Sequence, residues 1–244
     1  MKAMILAAGL GTRLKPLTDD KPKALVELNG ITLLERVITS LSNAGFKEQV
    51  INIHHFGDQI IDFLESKQYF GLPIQISDER GKLLDTGGGI LKARPLLSGD
   101  DPFLVHNVDV LTNLDLINFF NFHKNHGHIA TLAVKNRETT RSLLVDEDNL
   151  LAGWRNNQTG QEKLCRMQAT FFRPTAFSGI YVLSQRFFDH FIEKGKFSIM
   201  DTFLRMAADV PIMTYDHNHD YWFDLGRVEN LRRAAHFLSE NDLP

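Results

Sequence analysis

The segment Gly9-Leu10-Gly11-Thr12-Arg13-Leu14 follows an apolar run, Ala3 to Ala7, and continues through Lys15-Pro16-Leu17-Thr18 to Lys21-Pro22-Lys23-Ala24-Leu25. Glycines in such a loop let backbone N–H groups approach an anion with no Cβ in the way. Arg13, Lys15, Lys21 and Lys23 add a cationic rim, and the two prolines stiffen it, which reduces the entropy lost when it closes on phosphates. Two common phosphate loops are excluded by residue type. A dinucleotide fingerprint needs a third glycine where Leu14 stands, and a Walker A loop needs Gly-Lys-Ser/Thr, which is absent. A solvated basic loop is the alternative use of the same residues.

Chemistry at phosphorus requires charge stabilisation more than covalent catalysis, so acidic residues that could hold a metal are the next feature to seek. Mg2+ takes hard oxygen ligands and usually only one or two carboxylates. Asp109 follows Phe103-Leu104-Val105-His106-Asn107-Val108, and Asp224 follows Tyr221-Trp222-Phe223 and precedes Leu225-Gly226. A carboxylate after an apolar strand is costly to bury unless a metal or hydrogen bonds satisfy it. A cap or turn is the other use of such an aspartate, and Asp115 and Asp201 read that way. The ten histidines offer no i,i+4 metal pair on a convincing helix and read as surface or core residues.

The elements that must position these residues alternate. Ala3 to Ala7 is a short buried strand. Leu33, Leu34, Val37, Ile38 and Leu41 have helical spacing, with Gly45 as a terminating glycine. Strands follow at Val50 to Ile53 and Ile74 to Ile76, with a helix around Ile60, Ile61 and Leu64 between them. Gly87-Gly88-Gly89 reads as a tight turn, capped by Thr86, into a helix from Ile90 to Leu97. Further strands are expected at Pro102 to Val105, Ile129 to Val134 and Ile212 to Tyr215. Further helices are expected at Leu114 to His126, near Gln185 to Ile192, at Ile199 to Ala208 and from Val228 onward. Regularity weakens near residues 137–174, which read as a β-rich excursion over the site on the sugar side. The alternation predicts an α/β fold, a Rossmann-like, mostly parallel mixed sheet with helices on both faces, in a single domain over residues 1–244. Ligands then bind beyond the carboxyl ends of the strands, where the glycine loop and Asp109 lie.

Leu6-Ala7-Ala8-Gly9-Leu10-Gly11-Thr12-Arg13-Leu14-Lys15-Pro16-Leu17-Thr18 with Pro22-Lys23-Ala24-Leu25 resembles the signature of sugar-1-phosphate nucleotidyltransferases, and the fold implied is that of the nucleotide-diphospho-sugar transferases. The resemblance implies an enzyme that joins an NTP, UTP or GTP in first place, to a sugar 1-phosphate and releases pyrophosphate with Mg2+. Arg13 and Lys23 would then contact triphosphate and sugar phosphate as the catalytic cations. Ala8, Gly9, Gly11 and Thr12, with Thr86, Gly87 and Gly88 of Thr86-Gly87-Gly88-Gly89, would bind the nucleotide. Asp109 in Asn107-Val108-Asp109-Val110 and Asp224 in Trp222-Phe223-Asp224-Leu225-Gly226 match the family's two metal-binding places. Asn107, and Gly179 in Phe177-Ser178-Gly179-Ile180, would lie on the sugar side, and Trp154, Arg155 and Arg173 are further substrate candidates there. Val108 departs from the family's usual glycine, and a β-branched residue does not readily take positive φ. The triple glycine and the short chain are most similar to the N-acetylmuramic acid 1-phosphate uridylyltransferases, with mannose- and heptose-1-phosphate guanylyltransferases close behind.

A net charge of −3 argues against a nucleic-acid partner, which calls for a basic surface. Cys165 is the only cysteine, so no intrachain disulfide forms, and a cytoplasmic setting is expected. No apolar stretch approaches the ~20 residues needed to span a bilayer. The expected partners are therefore small molecules, with oligomeric state left open. Two other readings use the same residues: a cytidylyltransferase acting on a phosphorylated alcohol such as phosphocholine, and a nucleotide-sugar sensor without catalysis.

Overall fold

The computed structural model describes residues 1–99, 101–166 and 171–243. In chain order, β1 (Lys2–Leu6) leads through the glycine loop to a small hairpin, β2 (Glu27–Leu28) and β3 (Ile31–Thr32), then α1 (Leu33–Asn43), β4 (Glu48–Ile53), α2 (Gly57–Ser66) and β5 (Ile74–Asp78). Next come α3 (Asp85–Leu97), β6 (Phe103–Asn107), β7 (Val110–Thr112), α4 (Leu116–His126) and β8 (Ala130–Lys135). The excursion supplies β9 (Arg141–Val145), β10 (Leu151–Asn156) and β11 (Glu162–Leu164), and β12 (Arg173–Leu183) returns the chain to the sheet. The remainder is α5 (Ile199–Met206), β13 (Met213–Asp216), β14 (Trp222–Asp224) and α6 (Val228–Glu240).

β5, β4, β1 and β6 lie side by side and parallel, and β12 adds antiparallel to β6. β12 also pairs with β8 and, through Arg173–Thr175, with β9, so the excursion strands β9–β11 extend the same sheet. β1 has β4 on one side and β6 on the other, so successive connections leave it in opposite directions. That divergence opens a crevice at the carboxyl end of β1, where open α/β sheets bind ligands.

Alternation along β1 assigns its side chains to two cores. Ala3 and Ile5 pack under α1, α2, α4 and α6, whereas Met4 and Leu6 pack under α3 and α5. The sheet is thus covered on both faces, as the alternation of elements requires.

Three local expectations are corrected. Gly87, Gly88 and Gly89 are buried within α3 rather than forming a turn before it, and Thr86 lies inside α3 rather than capping it. Gln185–His190 is a 3-10 turn, not an α-helix. Asp201 sits in the first turn of α5, whose cap is Ser198. Asp115 does cap α4, accepting from Asn118 N at 2.9 Å, and Gly45 follows α1 at φ 84°.

α1 begins with a capping pattern, Thr32 to Glu35, in which the Thr32 hydroxyl accepts from Glu35 N at 3.1 Å. Thr32→Ala is expected to cost about 1 kcal/mol and lower the melting temperature by about 2–4 °C, measured by calorimetry. An unchanged midpoint would show that the packed face of α1 alone sets its start.

Candidate active site

The glycine loop is built around a buried polar anchor. Asn52, at the carboxyl end of β4, accepts from Ala7 N at 2.7 Å and from Ala8 N at 3.4 Å. Its Nδ2 donates to Glu79 Oε1 at 2.7 Å, and Leu84 N donates to the other oxygen of Glu79 at 3.2 Å. Glu79 is fully buried, and burial raises its pKa above the ordinary carboxyl value. One amide and one carboxyl thus tie the end of β1 to the residues just ahead of α3. Gly89 makes room for them, since a Cβ there would stand 2.7 Å from Glu79 Oε1 and 2.9 Å from Asn52 Nδ2.

Gly11 has φ +67°, a conformation that favours glycine, and a Cβ there would press on Thr18 and Lys23. The Thr18 hydroxyl donates to Gly11 O at 2.9 Å, folding the loop back on itself. Thr12–Leu14 form a 3-10 turn pinned by fully buried Leu14, which leaves Arg13 at the rim. A second 3-10 turn, Lys23–Leu25, is pinned by buried Ala24 and aims Lys23 inward.

Asp109 follows β6, and β14 pairs antiparallel with β7 so that Asp224 stands opposite Val110. Leu225 N donates to Asp109 O at 2.7 Å, locking the two aspartates in register although they are far apart in sequence. Trp222 anchors β14, donating from Nε1 to Ser178 O at 2.9 Å beneath the Arg137 guanidinium, which lies 3.8 Å from its ring centroid. Gly226 lies against both carboxylates: a Cβ there would be 2.8 Å from Asp224 Oδ1 and 3.1 Å from Asp109 Oδ2. The Arg13 guanidinium is nearer still, with Nη2 2.7 Å from that position, so both acids and a cation crowd the space that a side chain at 226 would fill.

Lys23 Nζ meets Asp109 Oδ2 at 2.8 Å, and Arg13 reaches Asp224 Oδ2 at a looser 3.8 Å. Burial opposes ionisation of Asp109, but the Lys23 ammonium, its hydrogen bond and the more distant Arg13 hold the carboxyl below the usual range. Beside it, burial lowers the pKa of His106 to about 4, so that imidazole is neutral at neutral pH.

A cavity of about 600 Å³ opens over these groups. Ala8, Gly9, Gly11, Thr12, Arg13, Lys23, Thr86, Asn107 and Asp109 all line it, while Asp224 stands just behind Gly226. A second cavity of about 460 Å³ shares Asp85, Thr86 and Asn107 with the first and is otherwise lined by Trp154, Arg141, Lys163, Phe177, Tyr181 and the start of α5. The excursion thus walls the second cavity. Arg155 and Arg173 do not line it; they pair with Glu162 and Asp216.

Three candidates lie elsewhere than the resemblance implies. Gly87 and Gly88 face the segment before α5, and a Cβ on either would collide with Phe197 or Gly195 O. Gly179 lines neither cavity; it has φ +77° at a bulge in β12 and makes room for the Asn107 amide, 2.8 Å from where its Cβ would be. Val108 has no positive φ: its N–H donates to Leu6 O at 3.2 Å and its side chain is buried in the core. The substitution for glycine therefore imposes no backbone strain.

Sequence reading missed Asn52, Glu79, Asp85 and Lys196. Asn52 had one available signal, a polar residue ending an apolar strand. Asp85 has φ +61°, unusual for a non-glycine residue, with its carboxylate accepting from Thr86 N at 2.7 Å.

A glycine-lined cavity at the crevice of a parallel sheet, lined by Arg13, Lys23 and Asp109 with Asp224 close behind Gly226, defines a nucleotide-handling site of the phosphoryl-transfer type. The chain belongs to the nucleotidyl transferase family, which its sequence matches over residues 2–241. It is 34% identical over 241 residues, 96% of each chain, to an N-acetylmuramate alpha-1-phosphate uridylyltransferase from Neisseria meningitidis. It is 48% identical over 109 residues to one of the same name from Caulobacter vibrioides, a match covering 44% of this chain and 45% of that protein. A UDP-glucose pyrophosphorylase structure from Acinetobacter baumanii shares the fold, with a TM-score of 0.77 at 17% identity over 98% of this chain and 93% of that one.

Removing Lys23 leaves the Asp109 charge largely buried without its nearest partner. Lys23→Met is expected to cost about 3 kcal/mol at pH 7 in metal-free buffer, measured by urea unfolding. In the wild type the depressed pKa contributes stability that is present above the unfolded value and lost as pH falls through the folded one. The variant lacks that contribution, so the gap between the two proteins should narrow on acidification. A gap independent of pH would show that Asp109 is not held ionised by Lys23.

Proposed function

We propose that this chain transfers a nucleoside monophosphate from an NTP to a sugar 1-phosphate, with UTP and N-acetylmuramate α-1-phosphate as the first pair to test and GTP as the second nucleotide. The observation that carries this reading is the gathering of Arg13, Lys23 and Asp109 in the lining of one cavity, with Asp224 beside them across Gly226. Identity to the Neisseria uridylyltransferase along nearly the whole of both chains supports the choice of substrates.

In this reading the nucleotide occupies the first cavity and the sugar the second. An oxygen of the acceptor phosphate attacks the α-phosphorus, a new P–O bond forms, and the bond to the β-phosphate oxygen breaks to release pyrophosphate. Arg13 and Lys23 neutralise the phosphates as charge accumulates, and Asn52, through the Ala7 and Ala8 amides, holds the loop in shape. Ala8, Gly9, Gly11, Thr12 and Thr86 form the nucleotide wall, and Asn107, which lines both cavities, faces the sugar side.

Asp109 and Asp224 would hold a Mg2+ ion: they offer hard oxygens that converge beside Gly226, where Arg13 and Lys23 now neutralise them, and two carboxylates are what such an ion takes when phosphates and water complete its shell. When bound, the ion would add positive charge to the phosphate oxygens. Among the described residues no cluster of three or more His, Cys, Asp or Glu could hold a metal ion. The partners in this reading are small molecules. No helix among the described residues is long and apolar enough to cross a membrane.

Pyrophosphate release should require one NTP, one sugar 1-phosphate and Mg2+ together. Asp109→Ala should lower kcat about a thousandfold while circular dichroism reports an unchanged fold. Full turnover in Asp109→Ala, or release without any sugar phosphate, would overturn the assignment.

A further inference from the structure

We propose that Arg137 is a positioning residue for Asp224, acting through the Trp222 ring; its expected effect on turnover rests on the transfer reaction proposed above. Asp224 ends β14, a strand of three residues paired with the equally short β7 in a two-stranded sheet of its own. A two-stranded ribbon is marginal alone in water, so the place of Asp224 depends on what clamps β14 from outside.

Holds act on both ends of the strand. Ahead of it, Tyr221 N donates to Asn113 Oδ1 at 2.7 Å, and Tyr221 O accepts from the Thr112 hydroxyl at 2.7 Å. The Lys135 ammonium donates to Asn218 O and Asp220 O, each at 2.7 Å. Behind it, Asn230 Nδ2 donates to Asp224 O at 2.8 Å, and Leu225 N to Asp109 O at 2.7 Å. Within the strand, Trp222 makes the link to the main sheet, donating from Nε1 to Ser178 O of β12 at 2.9 Å. Arg137 covers that indole, 3.8 Å from its ring centroid, while its Nη2 donates to Phe177 O at 2.9 Å. The stacked pair thus grips two adjacent carbonyls of β12.

Keeping this cation in place is costly. Its Nε is buried without a hydrogen-bond partner among the described residues, and burial lowers the pKa of the guanidinium against the opposing charge of Asp224. The face of the indole and the Asp224 carboxylate offset that cost. Arg137 lines neither the first nor the second cavity, so it touches neither substrate of the proposed reaction. It stands on the connection from β8 to β9, where the excursion begins, and Phe177, whose carbonyl it holds, lines the second cavity. One side chain therefore joins the sugar-side wall to the strand that carries Asp224.

The test uses the full chain with Arg137→Met, Arg137→Lys and Trp222→Leu, and the substrate pair on which the wild type turns over. Arg137→Met should lower the hydrogen-exchange protection of the Leu225 amide about tenfold and leave the β1 and β4 amides unchanged. It should raise the Mg2+ concentration for half-maximal turnover about tenfold, while both substrate KM values at saturating Mg2+ stay within about twofold. Arg137→Lys keeps the charge without the planar guanidinium and should resemble Arg137→Met. In the Trp222→Leu background, Arg137→Met should add less than about twofold, because the two residues act as one unit.

Unchanged Leu225 protection in Arg137→Met would overturn this inference alone, whatever the reaction. An unchanged Mg2+ requirement would overturn it as well. Restoration by Arg137→Lys, or a further loss of about tenfold in the Trp222→Leu background, would show direct action of charge and overturn the route through Trp222. Absence of wild-type pyrophosphate release with every substrate pair would overturn the transfer reaction, and the exchange comparison would still decide whether Arg137 seats β14.

Discussion

Two carboxylates held against one glycine are the arrangement on which the site depends. Asp109 and Asp224 carry like charges side by side, and burial makes the Asp109 charge more expensive. They persist there because Lys23 and Arg13 supply positive charge from the loop after β1. That loop must in turn be held in place, which is the work of Asn52, Glu79 and the fold-back of Thr18 onto Gly11. The β7–β14 ladder has the matching task of carrying Asp224 to Asp109. The parallel strands contribute rigidity, and most of the charged chemistry is carried on loops and strand ends.

The same constraint explains the glycines. Gly226 leaves room for both acids and for Arg13, Gly89 admits the Asn52–Glu79 pair, and Gly87 and Gly88 let the segment before α5 lie against α3. Each position is close-packed by a partner distant in sequence. A glycine that looks like a turn or a ligand contact in one dimension is here a contact surface between elements.

This is why the sequence is legible in some places and not in others. The glycine loop, Arg13, Lys23 and Asp109 can be read because their types are chemically specific and their elements are short and local. All four features meet at the first cavity. The sheet and its covering helices can be read because apolar periodicity is strong in β1, α1 and β4. Asn52 and Glu79 are hidden because their meaning lies in a pairing across 27 residues. The start of α3 is misread as a turn because Thr86 and the two glycines after it are satisfied by residues more than a hundred positions later; Thr86 meets Ile199 across 113. Val108 looks like a defect only if positive φ is assumed there. The backbone needs none, so the departure from glycine leaves the strand end unstrained.

Among the described residues the first cavity gathers Arg13, Lys23 and Asp109 around the place where phosphorus would react in the proposed transfer. The stereochemistry of transfer from one diastereomer of the α-thio analogue of the preferred NTP tests this most directly. A single direct displacement should invert the configuration at the α-phosphorus. Retention would contradict it, because two successive displacements through a nucleotidyl-enzyme would then be required.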